Sequence, residues 1–175
     1  MLFTATPRNR IFVTPRLLMF DGWALVRETQ TVSAHSKLKE WWAKTGVLVP
    51  IERISDDRIV ALEARYKIRL PPDFRAYLSE SSPVRQNWDE EMGNWWPFSR
   101  IKNIPEEYDS RFTPENADKY LFFLDHCVWC WAWAISCADD ATYGSIVTIG
   151  GPEKVVAASF SEFVDRYVSD WLSVS

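Results

Sequence analysis

The alternation of apolar and polar positions places helices at both ends of a run of strands. Ile59, Leu62 and Tyr66 recur at i, i+3 and i+7 and form one apolar stripe, while Arg58, Glu63 and Arg65 fall outside it. Ser55 precedes the stripe as an N-cap, and Asp56 and Asp57 put negative charge in the first turn, where the helix dipole favours it. Leu70-Pro71-Pro72 stops this helix. Pro72 suits the first position of a second one, in which Phe74, Tyr77 and Leu78 share a face. Upstream, Ser33 caps a shorter helix with Leu38, Trp41 and Trp42, closed by Gly46. Near the C-terminus Ser159 and Glu162 read as a capping box. Phe160, Phe163, Val164, Tyr167 and Trp171 then follow at helical spacing.

Between these helices the period changes to two. Tyr120 to Leu124 reads as one strand and Val128 to Ser136 as the next. In the second strand Trp129, Trp131, Trp133 and Ile135 would share one face, and Val128, Cys130, Ala132, Ala134 and Ser136 the other. Large rings on one side and small groups on the other predict a strand buried on both faces. Asp139-Asp140 marks a turn, Ser145 to Ile149 a third strand, Gly150-Gly151-Pro152 a turn, and Lys154 to Ala157 a fourth strand. Val47 to Ile51 is extended, with Pro50 at an edge or connector. Residues 81 to 118 are loop-rich, with a strand expected from Trp95 to Ile101 and an acidic loop at Glu106, Glu107 and Asp109. Residues 1 to 32 form an N-terminal extension, in which Asp21-Gly22 between two apolar runs reads as a β-hairpin; a helix broken at Gly22 is the competing reading. Strands in sequence with helices at the ends predict an α+β domain over residues 33 to 175, an antiparallel sheet flanked by N-terminal helices and a C-terminal helix.

Composition narrows the function. Ten Trp and ten Phe exceed what an ordinary core of this length needs, so some rings are available for an interface. A net charge of −4 argues against nucleic-acid binding, which needs a basic stripe. Three cysteines, an odd number, fit reduced thiols better than a disulfide framework. The first ten residues lack a signal-peptide core, and the longest apolar stretch, residues 127 to 138, is too short to span a bilayer. The expected location is cytoplasmic.

The sharpest candidate chemistry is Asp125-His126-Cys127-Val128-Trp129-Cys130, where a Cys-x-x-Cys beside a His suggests a metal or thiol centre. On a strand, however, Cys127 and Cys130 point to opposite faces, whereas a metal needs convergent ligands. His35, the only other histidine, falls on a polar helix face and in no recognised catalytic context. There is no glycine-rich phosphate loop. No catalytic residue, cofactor or metal is assigned.

Ile59, Leu62, Glu63, Tyr66, Ile68, Leu70, Pro71, Asp73, Phe74, Arg75, Tyr77 and Leu78 together form a pattern. It resembles the opening motif of the SUKH superfamily, which includes yeast cell-wall synthesis regulators and many bacterial immunity proteins. Gly144, Ile146, Val147, Val155, Val156, Ala157, Ser159, Phe160 and Phe163 are similar to its last strands and closing helix. The resemblance covers about residues 54 to 172. It departs from the family near the start of the central strand, where members often carry Gly and this chain has His126-Cys127. The resemblance implies an antiparallel sheet with flanking helices, no shared catalytic residues, and a protein-binding role.

The leading expectation is an immunity protein that binds a bacterial polymorphic or contact-dependent toxin, often a nuclease or deaminase. A non-catalytic regulatory scaffold is the alternative, and a thiol or metal enzyme using Cys127, Cys130 and His126 is a third reading. The residues expected at the interface are Trp88, Asp89, Glu90, Glu91, Trp95, Glu106, Glu107 and Asp109, an aromatic and acidic rim suited to a basic protein. Neither nucleic acid nor a membrane is an expected partner.

Overall fold

A computed structural model describes residues 32–109, 113–151 and 154–175. The hairpin expected at residues 17 to 26 lies outside them, as does Pro152 of the expected turn. Helix α1 is Ala34–Lys44, α2 Asp56–Tyr66, α3 Pro72–Ser81 and α5 Phe160–Ser169, with a short α4 at Ile104–Glu107. Strands β1 (Ile51–Glu52) and β2 (Ser82–Pro83) form a small antiparallel pair. The main sheet has six strands in chain order: β3 (Asn87–Trp88), β4 (Gly93–Trp95), β5 (Tyr120–His126), β6 (Trp131–Ser136), β7 (Ile146–Ile149) and β8 (Val155–Ala157). Every neighbouring pair is antiparallel, so the domain is α+β. Among the described residues no helix is long and apolar enough to cross a membrane.

The four longer helices begin where the sequence places them, but the Ser33 and Ser55 side chains, expected as caps, make no capping hydrogen bond. Ser159 Oγ accepts from Glu162 N at 3.1 Å, but Glu162 Oε2 returns to Ala158 N at 2.8 Å, one residue before the cap. Helix α2 ends on Lys67 in the left-handed conformation, φ 52°. The segment from Trp95 to Ile101 departs from expectation. Its strand stops at Trp95, and Phe98–Arg100 forms a 3-10 turn after Pro97, which has no N–H to continue a ladder. The expected acidic loop instead begins as α4, with Asn103 Oδ1 accepting from Glu106 N.

The sheet separates two apolar clusters. One side meets the helices: Trp95, Leu121, Phe123, Trp133, Ile135 and Ile146 pack with Leu38, Trp42, Ile59, Phe74, Phe160 and Phe163. Burying each such large side chain contributes about 1.5–3 kcal/mol. The other side is smaller: Trp96, Phe122, Ala132, Ala134, Val147 and Ile149 pack with Ile104 of α4. Ala132 and Ala134 are the small residues that β6 contributes to this side.

The residues that carry the family resemblance act as a clasp among helices. Glu63 accepts from Leu70 N (2.9 Å) and Arg75 Nη1 (3.0 Å), and Arg75 also pairs with Asp56. Asp73 accepts from Ser161 N (2.8 Å), tying the start of α3 to the start of α5. The motif therefore specifies the scaffold, and leaves the partner open.

Cys137 lies in the helical-side core, and burial pushes its thiol from 9.0 up to about 12. The folded state thus holds this proton more tightly than the unfolded chain. The stability it contributes is complete below pH 9 and is lost as pH climbs from about 9 towards about 12. Cys137→Ala should flatten that part of the alkaline stability profile, as read by denaturant midpoints across pH 8 to 12. An unchanged slope would contradict the assignment.

Candidate protein-binding surface

The β3–β4 and β5–β6 turns lie side by side at one end of the sheet. Gly93 pairs with His126, and Cys127 N donates to Met92 O at 3.1 Å. Exposed on these turns are Trp88 (40%), Met92 (50%) and Val128 (77%), together with Glu90. Glu91 is half-buried. Register places Trp88 in a row with Asn94 and Asp125 on the face opposite the helices. Three apolar side chains beside two carboxylates make a platform suited to a protein.

Asp89 and Trp95, expected at the rim, are instead beneath it. Trp95 is fully buried and Asp89 is 6% exposed. The Asp89 carboxylate accepts from Glu91 N (2.9 Å), Gly93 N (2.8 Å), Trp95 Nε1 (2.8 Å) and Tyr167 Oη (2.7 Å). It faces inward because Trp95 and Tyr167 need an acceptor for buried donors. Burial pushes its pKa up against the pull of these donors. Gly93 is required at this place: a Cβ there would overlap the Tyr167 hydroxyl and press on Asp89. This knot fixes the β3–β4 turn to α5.

The acid pair above the knot is different. Neither Glu90 nor Glu91 forms an ion pair among the described residues. The Glu91 carboxyl is raised by desolvation first, then by Glu90 and Asp89. Crowded like charges of this kind favour a cationic partner. By contrast, Glu106 is engaged by Arg65 (2.8 Å) and Tyr66 Oη (2.8 Å), and Glu107 by Arg100 (3.4 Å) and Lys102 (2.9 Å). Their charges are already answered within the fold, so they offer a partner much less. Asp109 is exposed, and its neighbour Tyr108 stacks on Trp129 of the β5–β6 turn with centroids 5.8 Å apart. That contact draws the second acidic segment toward the platform.

The β5–β6 turn overturns one expectation. Cys127, Val128 and Trp129 all have positive φ, at 49°, 55° and 68°, and β6 begins only at Trp131. Three consecutive non-glycine residues in this region cost about 1–2 kcal/mol each. Trp129 consequently leaves the face of Trp131 and Trp133 and packs against Trp96 and Phe122 on the other side of the sheet. Gly is the residue that adopts such φ without strain, and none stands in this turn. Met92 and Val128 were missed in the sequence; Met92 has a positive φ of 61° at its own turn.

The remaining candidates have structural places. His126 is sandwiched between Trp131 (4.2 Å) and Trp171 (5.0 Å), and burial lowers its pKa. His35 bonds the Ser33 hydroxyl. Among the described residues, no three His, Cys, Asp or Glu side chains converge as a metal site would require. A cleft of about 560 Å³ lies between Lys67, Arg69, Lys119, Asp139, Asp140 and Tyr143. Its groups are largely used internally: Lys119 donates to Tyr66 O, Asp140 accepts from Thr142, and Tyr143 donates to Leu70 O.

An α+β domain with a helical clasp and an exposed two-turn platform has the form of a binding module. The chain belongs to the SMI1 / KNR4 family (SUKH-1), whose family model matches residues 53–166. Comparison with curated proteins gives no match.

Proposed function

We propose that this chain is an immunity protein. It binds the toxin domain of a bacterial polymorphic or contact-dependent system, in many such systems a nuclease or a deaminase, and neutralises it without catalysis. The observation that carries this reading is the platform of Trp88, Met92 and Val128 beside the carboxylates Glu90 and Glu91, which form no ion pair among the described residues. Enzymes that act on nucleic acid commonly present a basic cleft. An acidic, aromatic surface is the complement of such a cleft and would block it directly. Asp109 is a further acidic contact at the same end.

Co-expression with the toxin encoded beside its gene tests the proposal. Growth should be restored, and the two proteins should co-purify. A toxin that still kills, with no complex formed, sinks the immunity reading. A regulatory scaffold of the same family is the second reading, favoured by the clasp motif being wholly structural. It predicts a protein partner that is not toxic when expressed alone.

A further inference from the structure

We infer that Cys127 and Cys130 are a redox modification site, a dithiol that closes reversibly to an intramolecular disulfide by exchange with a small-molecule disulfide. The inference is independent of the partner proposed above. Three observations converge on it. First, Cys130 N donates to His126 O at 2.9 Å, so residues 126 to 130 form one left-handed helical turn. That closed turn holds the two cysteines three residues apart within one loop of backbone, and a disulfide needs their Cβ atoms about 3.5–4.5 Å apart. Second, the Cys130 thiol already turns back onto Cys127. Cys130 Sγ lies 3.1 Å from Cys127 O, and the first cause of the raised Cys130 pKa is its hydrogen bond with Cys127. Third, the strained conformation is not explained by its central side chain. Val128 is 77% exposed, so its packing does not hold a β-branched residue at φ 55°. What the conformation achieves is the juxtaposition of the two cysteines and the inward placement of Trp129.

Cys127 N is tied to Met92 O of the neighbouring turn, so closure draws Cys130 towards Cys127. Exchange begins at Cys130, the exposed thiol. Its thiolate attacks one sulfur of a glutathione-type disulfide. That S–S bond breaks, and the departing sulfur takes the electron pair and then a proton. The Cys127 thiolate next attacks the Cys130 sulfur of the mixed disulfide and expels the second thiol in the same way. In sum the protein loses two electrons and two protons, and the small disulfide becomes two thiols. The raised Cys130 thiol makes the first step slow at neutral pH and faster as pH rises, unlike dithiol enzymes, whose attacking thiol is lowered. Trp129 stacks on Tyr108 and meets Phe122 edge-on at 5.1 Å, so its emission reports the closure.

The full chain is equilibrated in glutathione buffers of increasing oxidised fraction, free thiols are alkylated, and peptides are mapped by mass spectrometry. The expected product has lost two hydrogens, with Cys127 and Cys130 protected together and Cys137 still alkylated after unfolding. Reductant should restore all three thiols and the original tryptophan emission. Cys127→Ser should instead stop at a single glutathione adduct on Cys130. Separate adducts on Cys127 and Cys130 of the unmodified sequence, an intermolecular dimer, or no oxidation at any ratio would each overturn the inference.

Discussion

Asp89→Ala is expected to destabilise the fold by about 3–5 kcal/mol, because it orphans buried donors and each costs about 1–3 kcal/mol. Four donors converge on this carboxylate, and two of them, Trp95 Nε1 and Tyr167 Oη, belong to side chains in the helical-side core. Water cannot replace the lost acceptor without opening that core. The substitution also releases the β3–β4 turn from α5, so loss of partner binding should accompany loss of stability. Burial raises the Asp89 pKa, so its ionised form is less favoured in the fold than in the unfolded chain. By the linkage sign, its own contribution declines as pH rises from the ordinary carboxylate value to the raised one. Urea denaturation at pH 7 measures the effect, with Glu90→Ala as the comparison. Glu90 is exposed and forms no ion pair among the described residues, and its loss should shift stability by no more than about 0.5 kcal/mol. If the two variants unfold at the same midpoint, the Asp89 knot is not structural.

The second large effect concerns affinity. Trp88→Ala should weaken the complex about 30-fold, the scale of about 2 kcal/mol typical of an interface aromatic. Trp88 is exposed on the short edge strand β3, so its removal leaves the core intact. Glu90→Lys with Glu91→Lys should act differently: at low salt, association with a basic partner slows about 10-fold or more, and the difference shrinks as salt is added. Glu40→Lys, on exposed α1, changes one charge on another element and should have little effect. Binding kinetics at two ionic strengths separate these outcomes. Losses in proportion to the charge change, two units at Glu40 and four at Glu90 and Glu91 together, would mean that only net charge matters, and the platform would lose its case.

Much of the site lay within reach of the sequence, but its sidedness did not. Trp88, Glu90 and Glu91 were legible as an aromatic beside carboxylates in a turn-rich segment; Trp88 and Glu90 are exposed, and Glu91 is half-buried. Asp89 carries the same local signal as its neighbours. Only the presence of Trp95 and Tyr167 behind it, 6 and 78 residues away, turns it inward. Glu106 and Glu107 likewise look like free acids until Arg65, Arg100 and Lys102 are brought to them. Met92 and Val128 left no sequence signal, because a lone apolar residue reads as core until its turn is known.

The stripes of α2, α3 and α5, the Ser159 cap of α5, and the alternation of β6 from Trp131 to Ser136 depend on neighbours within about one turn or two residues. The sequence alone therefore determined them, along with the α+β order and the clasp motif. The faces of the sheet were decided at longer range. A bulge between Phe122 and Leu124 shifts the β5 register against β6, putting both Phe123 and Leu124 on the helical side. From there Asp125 faces Asn94 and Trp96, while His126 faces Trp131. The left-handed turn that follows sends Trp129 to the opposite side from Trp131. A register shift of one residue changes no local propensity but exchanges the two faces. Its cost and reward come from strands and helices packed against it, so only the tertiary structure could decide which tryptophans became scaffold and which acids were drawn inward.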